Sequence, residues 1–523
     1  THKPSSAVIA GLGRTGLSAA RYLREHGWRL AVTDTRPDPP QLAALRALDP
    51  QIPVRLGTLD VRLLDEALCV VASPGVSLEE PFFAEARRRG LEIVGDIELF
   101  ARAVDAPVAG ITGTNGKSTV TTLVGRMAAR AGVRVRVGGN LGEPALELLA
   151  AAHRAGEAVG LYVLELSSFQ LESTHSLDLA AAAVLNVTPD HLDRYASIAA
   201  YADAKARIFS RCDTAVVNLD DPLVAAMARP GQRTLSFSLR AGSGADYALG
   251  VHDGEAWLTR RPNAIEKAAV SRGASSCIGG SQRGRSLGRG VDRVTRPRSP
   301  SKIAWSDFRR RQAGPKGSAQ DCAEQPPPGD FGPINYCGPL LPMSALRIRG
   351  LHNAANALAA LALGEALGLP LPAMLVELEA FAGLDHRTQW VAEVAGVTYI
   401  DDSKATNVGA TIAAVAGMEG PLVIVAGGDG KNQDFGALAA AFRGKVCHTV
   451  LIGRDGRLIG EALRGVCTTQ YCASLEEAVR AAAAAARAGD TVLLSPACAS
   501  LDMFRDYAHR GAVFARAVKE LAA

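Results

Sequence analysis

The chain has 523 residues, more than one hydrophobic core usually serves, so three domains are expected. With 48% hydrophobic residues, few aromatics and no apolar run near the roughly 18 residues that span a bilayer, it reads as a soluble Ala- and Leu-rich α/β enzyme, not a membrane protein. The net charge of +4 is local: between Arg261 and Pro339, 14 Lys or Arg stand against 6 Asp or Glu, so that segment carries +8 and the remainder −4. Nine cysteines without metal-ligand spacing, and an opening stretch without the zones of a secretory signal, point to a reducing cytoplasm.

The first predicted strand, AVIA, runs into the turn GLGRTG and an amphipathic helix from about Leu17 to His26. A second strand, Arg29 to Val32, ends in Asp34, Thr35 and Arg36. Gly11, Gly13 and Gly16 make a GxGxxG, and Asp34 follows where a dinucleotide fold places a ribose-binding carboxylate. By itself this says NAD or FAD, although any nucleotide-like diphosphate can use such a helix N-terminus. Another apolar run, Leu68 to Val71, leads into SPGV with Gly75 at the same edge, and the domain is expected to close near Val104.

Next comes AGITGTNGKST, Ala109 to Thr119, between a strand-like run and a helix-like one. Gly113 and Gly116 allow a tight turn that aims backbone N–H groups inward, Lys117 brings a point charge, and Ser118 or Thr119 can reach a magnesium ion. The strict phosphate-loop pattern wants a glycine where this chain has Ile111, with Gly110 one place off. Leu161 to Leu164 is an apolar strand ending at Glu165 and SSFQLE; Ala181 to Leu185 is another, followed by NVTPDHLDRY. Polar residues just past parallel strand ends converge on one edge, so Glu165, Asn186 and His191 should meet the phosphate loop, with Glu165 a hard oxygen ligand suited to magnesium. His191 could equally cap the next helix, and Lys205 reads as an ordinary solvated helix lysine.

The basic segment from about 261 to 339, containing SQRGRSLGRG and AEQPPPGDFGP, has neither helical nor alternating periodicity and reads as a poorly ordered insertion. A nucleic-acid arm through Arg309, Arg310 and Arg311 is the sharper alternative, and a solvated loop the usual fate of such a run. From about Leu384 the strand-then-polar-end grammar repeats: Thr398 to Ile400 into DDSKATN, Leu422 to Ala426 into GGDGKNQDF, Val450 to Ile452 into GRDG, and Thr491 to Leu494 into SPACASLD. Lys404 and Lys431 at two of these strand ends suit an anionic substrate. The Ala481 to Ala486 run is simply a strong helix former.

In order, GITGTNGKST, LELSSFQLE, NVTPDHLDRY, YADAKARIF, GLHNAANALAAL, GLDHR, DDSKATNVGAT, GGDGK and SPACASLDMF resemble one family, the ATP-dependent Mur ligases of peptidoglycan synthesis. The resemblance covers nearly the whole chain except the insertion, where relatives have a short connection. It implies an α/β protein of three domains: an N-terminal Rossmann-like UDP-binding domain, 1–104; a central phosphate-loop ATPase with a mainly parallel sheet, 105–383; and a C-terminal Rossmann-like amino-acid-binding domain, 384–523. The DSKATN, GGDGK and SPACASLD combination most resembles the D-glutamate-adding members. The implied substrates are then ATP, UDP-N-acetylmuramoyl-L-alanine and D-glutamate, joined through an acyl phosphate by a cytoplasmic monomer serving cell-wall biogenesis, cell shape and division.

Carried onto matching positions, the resemblance puts Arg14, Thr15, Asp34, Thr35, Arg36, Gly75 and Asn140 on the UDP substrate, in place of a nicotinamide dinucleotide. It puts Gly113, Thr114, Asn115, Gly116, Lys117, Ser118, Thr119, Asn353, Asn356, Arg387 and Asp402 on ATP. Ser118 and Glu165 would hold one magnesium, and His191 with Lys205, carbamylated into an anion, a second. Thr406, Lys431, Ser500 and Tyr507, which stands where the family commonly has Phe, would hold D-glutamate. Lys117, His191, Lys205 and Lys404 would act in catalysis. Because three modules share the substrates, closure about Leu384 to His386, and about Ala103 to Pro107, is expected. A sister ligase for another amino acid, a folylpolyglutamate-type ligase, an NAD-dependent oxidoreductase and a nucleic-acid-binding regulator are the competing readings.

Overall fold

Apolar four- to six-residue runs that end in glycine or small polar residues behave as buried parallel strands, and the computed structural model of the chain is built on them. It describes residues 6–192, 194–261, 338–348, 350–418 and 420–521. The basic segment, with Arg309, Arg310 and Arg311, lies outside the described residues over 262–337.

Among the described residues the strands form three sheets. The first is parallel, in the order β3-β2-β1-β4-β5, from β1 (Ser6–Ala10), β2 (Arg29–Asp34), β3 (Val54–Leu56), β4 (Cys69–Ala72) and β5 (Glu92–Val94). The helix Arg14–Glu25 buries Leu17, Ala20 and Leu23 against it. This helix starts three residues earlier than its apolar periodicity indicates, because the second half of GLGRTG is already helical. Gly13 is extended and caps it, and a Cβ on Gly16 would lie 2.0 Å from the Gly11 carbonyl oxygen. Only glycine permits that contact of helix and strand end.

The second sheet comprises β6 (Val108–Thr112), β7 (Val135–Gly139), β8 (Leu161–Glu165), β9 (Leu179–Val184), β10 (Cys212–Asn218), β11 (Arg233–Ser238), β12 (Tyr247–His252), β13 (Glu255–Arg260) and β14 (Gly338–Pro342). Its order is β14-β13-β12-β11-β10-β9-β6-β8-β7, parallel except where β13 pairs with β12 and β14. β6 and β8 are buried throughout and adjacent, so Thr112 and Glu165 end side by side at one edge. Arg260 of β13 pairs with Gly338 of β14 at the far side of this sheet.

The third sheet takes β15 (Gln389–Val394), β16 (Val397–Asp401), β17 (Leu422–Gly427), β18 (Val446–Ile452), β19 (Thr468–Tyr471) and β20 (Thr491–Leu494), in the order β15-β16-β20-β17-β18-β19 with only β15 antiparallel.

One continuous apolar core joins the first two sheets: Phe100, on the helix Asp96–Ala103, meets Tyr162 of β8 edge-on at 5.2 Å. Glu98 on that helix accepts the N–H groups of His175 and Ser176 at 2.7 and 2.9 Å, which satisfies two backbone donors at this seam. The glycine-rich edges of the two sheets therefore stand next to each other.

Candidate active site

β6 delivers the chain into a turn that ordinary residues would not make. Gly113 has φ 151° and Gly116 φ 84°, and a Cβ on Gly116 would sit 2.3 Å from Asn356 Oδ1. The helix Lys117–Arg130 follows at once, with no side-chain cap and no acidic residue in its first turn, so its free N–H groups favour an anion. Asn186 clasps the loop: its Oδ1 accepts Asn115 N–H at 2.8 Å and its Nδ2 donates to Asn115 O at 3.1 Å. Thr114 Oγ1 accepts Thr188 N–H at 3.0 Å.

Two lysines meet inside this turn. Lys117 Nζ donates to the carbonyls of Gly113 and Thr114 at 2.9 and 2.8 Å, and Lys205 Nζ donates to the same Gly113 carbonyl at 3.0 Å. Burial holds both ammonium groups below the usual lysine range, Lys205 well below it, with Lys117 adding repulsion. The solvated helix lysine read at Lys205 is therefore corrected: it is 1% exposed and its Nζ lies 4.2 Å over the Tyr201 ring. The helix it occupies, Ile198–Ala206, buries that face against the loop and is capped by Ser197, which removes the capping alternative for His191. His191 sits instead in a turn at φ 55°, edge-on to Phe169 at 4.9 Å.

Across the loop, Ser118 Oγ donates to Glu165 Oε2 at 2.6 Å and Asn140 Nδ2 donates to Glu165 Oε1 at 2.7 Å. Burial alone would raise the Glu165 pKa, but Lys117 and these two hydrogen bonds more than offset it and hold the group ionised. Among the described residues no cluster of three or more His, Cys, Asp or Glu is available to cage a metal. One buried carboxylate beside one hydroxyl at a phosphate-receptive helix end nevertheless fits magnesium, which keeps water and phosphate oxygens as its other ligands.

Arg387 Nη2 donates to Ser118 Oγ at 2.9 Å, from the segment just before β15. With Asn353, Asn356, Asp402, Thr119 and Phe237 it lines a cavity of about 260 Å³ beside the loop. Burial raises the Asp402 pKa to about 7, opposed by hydrogen bonding from Ser495 and by Arg387. Lys404 borders the same cavity; burial, then Arg387 and Lys117, bring its pKa down to about 8.

The third sheet brings the amino-acid candidates to this edge. Lys404 Nζ lies 3.8 Å over the Tyr507 ring, Thr406 is half-buried two residues on, and Lys431 Nζ is 3.9 Å from Asp190 Oδ1. Ser500 is buried in the loop after β20, which is tied to the loop after β17 by paired backbone bonds between Asp429 and Ala499 at 2.8 and 2.9 Å. Residues the motifs did not single out complete the set. Asn407 Nδ2 reaches Asn115 Oδ1 at 3.3 Å and Asp190 Oδ2 at 3.2 Å, and the fully buried Arg510 donates to Ser403 and Cys498, bracing the loops that carry Lys404 and Ser500. Asn407 and Asp190 lie inside motifs already noted; Arg510, within a plain helix, carries no local signal.

At the first sheet, Arg14 and Thr15 open the helix, and Thr35, Arg36 and Gly75 form the rim, with Thr35, Arg36 and Gly75 exposed. Asp34 differs from the open ribose acceptor its position suggests. It is 1% exposed; its Oδ2 accepts Leu12 N–H at 2.6 Å and its carboxylate is forked by Arg36. A buried turn N–H needs a partner, and Asp34 supplies it. Asn140 lies apart from these residues, after β7 against Glu165, but Arg14 Nη2 donates to Gly142 O at 2.8 Å and so joins its loop to the GLGRTG turn.

Family models match the three parts of the chain: a MurD-like N-terminal domain over residues 5–95, a Mur ligase middle domain over 111–259 and a Mur ligase glutamate ligase domain over 386–498. The chain belongs to the Mur ligase family. UDP-N-acetylmuramoylalanine–D-glutamate ligase of Methylococcus capsulatus is 45% identical over 99% of this chain and 95% of its own, and that of Pseudomonas aeruginosa 44% identical over 98% of each. Among solved structures, UDP-N-acetylmuramate-alanine ligase of Thermotoga maritima shares the fold at a TM-score of 0.54 and 18% identity, covering 98% of this chain and 99% of its own. MurF of Acinetobacter baumannii does so at 0.53 and 16%, covering 99% and 92%. In this Mur ligase the middle-domain match begins inside β6, and the glutamate ligase domain match begins at His386, whose φ is 62°.

Proposed function

We propose that this Mur ligase joins D-glutamate to the alanine carboxylate of UDP-N-acetylmuramoyl-L-alanine, using ATP, for peptidoglycan precursor synthesis. The observation that carries the reading is the convergence of Lys117, Arg387 and Lys404 on a helix N-terminus that also faces Glu165. So much positive charge beside one anionic group suits a triphosphate whose charge must be redistributed during transfer.

ATP lies with its base in the cavity lined by Asn353, Asn356, Arg387 and Asp402, and its phosphates on the N–H groups of Gly113 to Thr119 and on Lys117. The uridine nucleotide follows the GLGRTG turn with Arg14, Thr15, Thr35, Arg36 and Gly75, and Asp34 holds that turn in shape. Its muramoyl-alanine end leads past Asn140 toward the phosphate loop. The alanine carboxylate takes the γ-phosphoryl group, which makes a weak electrophile into an acyl phosphate with a good leaving group; the D-glutamate amine then displaces phosphate to give the amide.

Ser118 and Glu165 would hold one magnesium and His191 with Lys205 a second, and magnesium bound there supplies charge neutralisation on phosphate oxygens. Lys205 supports that second position as a carbamate: burial keeps its amine short of protons, the form that adds carbon dioxide. Lys431, Thr406, Ser500 and the Tyr507 end hold the two D-glutamate carboxylates, with Lys404 and His191 beside the amine. We place the reaction in the cytoplasm, on a monomer; among the described residues no helix is long and apolar enough to cross a membrane.

The test is the mass of the product after incubation with ATP, magnesium, the uridine substrate and a panel of amino acids. The expected adduct carries one D-glutamate and disappears in Lys117→Ala. Another amino acid in the product would move the chain to a sister ligase, and ATP left unconsumed with every acceptor pair would end the reading.

A further inference from the structure

The rim of the first sheet and the His191 turn belong to different sheets, and one side chain ties them together. Arg194 Nη1 donates to Pro74 O at 3.2 Å, and its Nη2 donates to Val76 O at 3.1 Å and to Glu172 Oε2 at 3.2 Å. The guanidinium lies 4.4 Å over the Phe169 ring, and the Arg194 side chain is 14% exposed. The backbone of the same residue closes the His191 turn, Arg194 N–H donating to His191 O at 2.9 Å. Tyr195 OH donates to Glu172 Oε1 at 2.5 Å, and Phe169 in turn packs edge-on to His191.

We propose that Arg194 is a positioning residue that locks the Pro74–Val76 loop, at the uridine-nucleotide end of the site, to the His191 turn at its reactive end. The inference rests on the functional reading above. Gly75 has no side chain and is exposed, so the loop's placement relative to the reacting groups depends on what its flanking carbonyls are bonded to. A planar fork of five donors can serve two carbonyls and a carboxylate while stacked on a ring; a lysine ammonium, a compact point charge, cannot. Glu172 and Phe169 hold the plane of that fork. With the loop fixed, the sugar-linked carboxylate arrives at the phosphate loop in one orientation, which is where misplacement costs most rate.

Initial rates of the full chain, each substrate varied in turn, test this in the wild type, Arg194→Lys, Glu172→Gln and the double variant, with calorimetric titration of the uridine substrate alone. In Arg194→Lys the KM and Kd of the uridine substrate are expected to rise about tenfold, as for loss of charged hydrogen bonds, with KM for ATP and D-glutamate within about twofold. Glu172→Gln should move the same constants less and leave the unfolding temperature unchanged, and the double variant should be no worse than Arg194→Lys, since both act through one contact set. Unchanged uridine-substrate constants, or all three KM values rising together with a lower unfolding temperature, would overturn the proposal by leaving Arg194 as mere domain adhesive. If Arg194→Lys does not fold, Glu172→Gln and Phe169→Leu decide it by the same constants. A wild type that forms no D-glutamate adduct would instead refute the functional reading.

Discussion

After β1 and again after β6 the chain turns through glycines with positive φ into a helix whose first turn has neither a side-chain cap nor an acidic residue. The partners of the two turns differ. The Gly11–Gly16 turn is satisfied within its own sheet: Gly11 N–H by Thr33 O, Leu12 N–H by Asp34, and the Gly11 carbonyl by Ser73 Oγ at 2.6 Å. The Gly113–Gly116 turn holds two lysine side chains, Lys117 and Lys205, on its carbonyl face, and receives Arg387 and Asn407 from the third sheet. One backbone device thus makes an anion cradle in both places, and imported charge separates holding a diphosphate from transferring a phosphoryl group.

The contrast is broken most easily at Lys117. Lys117→Met should lower kcat by two to three orders of magnitude, on the order of 10²–10³ as for removal of a preorganised charge-stabilising group, while calorimetry finds the uridine-substrate Kd unchanged. Equal loss at both sites would mean that the turns are not independent.

Gly16→Ala attacks the other side. Its Cβ would meet the Gly11 carbonyl oxygen at 2.0 Å, a backbone contact that no rotamer relieves. A loss of about 1–3 kcal/mol in denaturant titration is expected from such overpacking, with weakened uridine-substrate binding and an unchanged Kd for a non-hydrolysable ATP analogue.

The smallest effect sharpens the comparison through pH. Lys404, lowered to about 8 by burial and then by Arg387 and Lys117, is a cation below that pH and neutral above it. Between pH 7 and 9 the Kd for the ATP analogue should rise, by roughly three- to tenfold, as about 0.8 of this unit charge is lost. Lys404→Arg should remove the limb near pH 8 and leave that of Asp402, whose pKa burial raises to about 7 in the same cavity, and uridine-substrate binding should show neither. A wild-type profile that coincides with the variant's would remove Lys404 from the cationic set.

The strands β1, β2, β4, β8, β9, β16, β17, β18 and β20, the two glycine turns and Glu165 beside the phosphate loop were legible because each depends on a few consecutive residues. Leu161–Glu165 is apolar because both faces are covered, and its last residue is polar because the sheet edge opens there. The strands β12 and β13 and the antiparallel edge strand β15 were not legible: their half-buried and exposed residues give too weak an alternation to mark a pairing partner.

What the sequence by itself determined is the set of local devices: strand runs, glycine turns, helix starts, and the polar residues at their ends, all consequences of backbone sterics and apolar periodicity over ten residues or fewer. Only the tertiary structure decided that Asp34 braces a turn, that Lys205 is buried, and that Arg387 meets Ser118 across 269 residues of chain. The reason is physical: burial and charge pairing depend on which distant segments pack together, and those contacts set the ionisation and orientation of each group in the site.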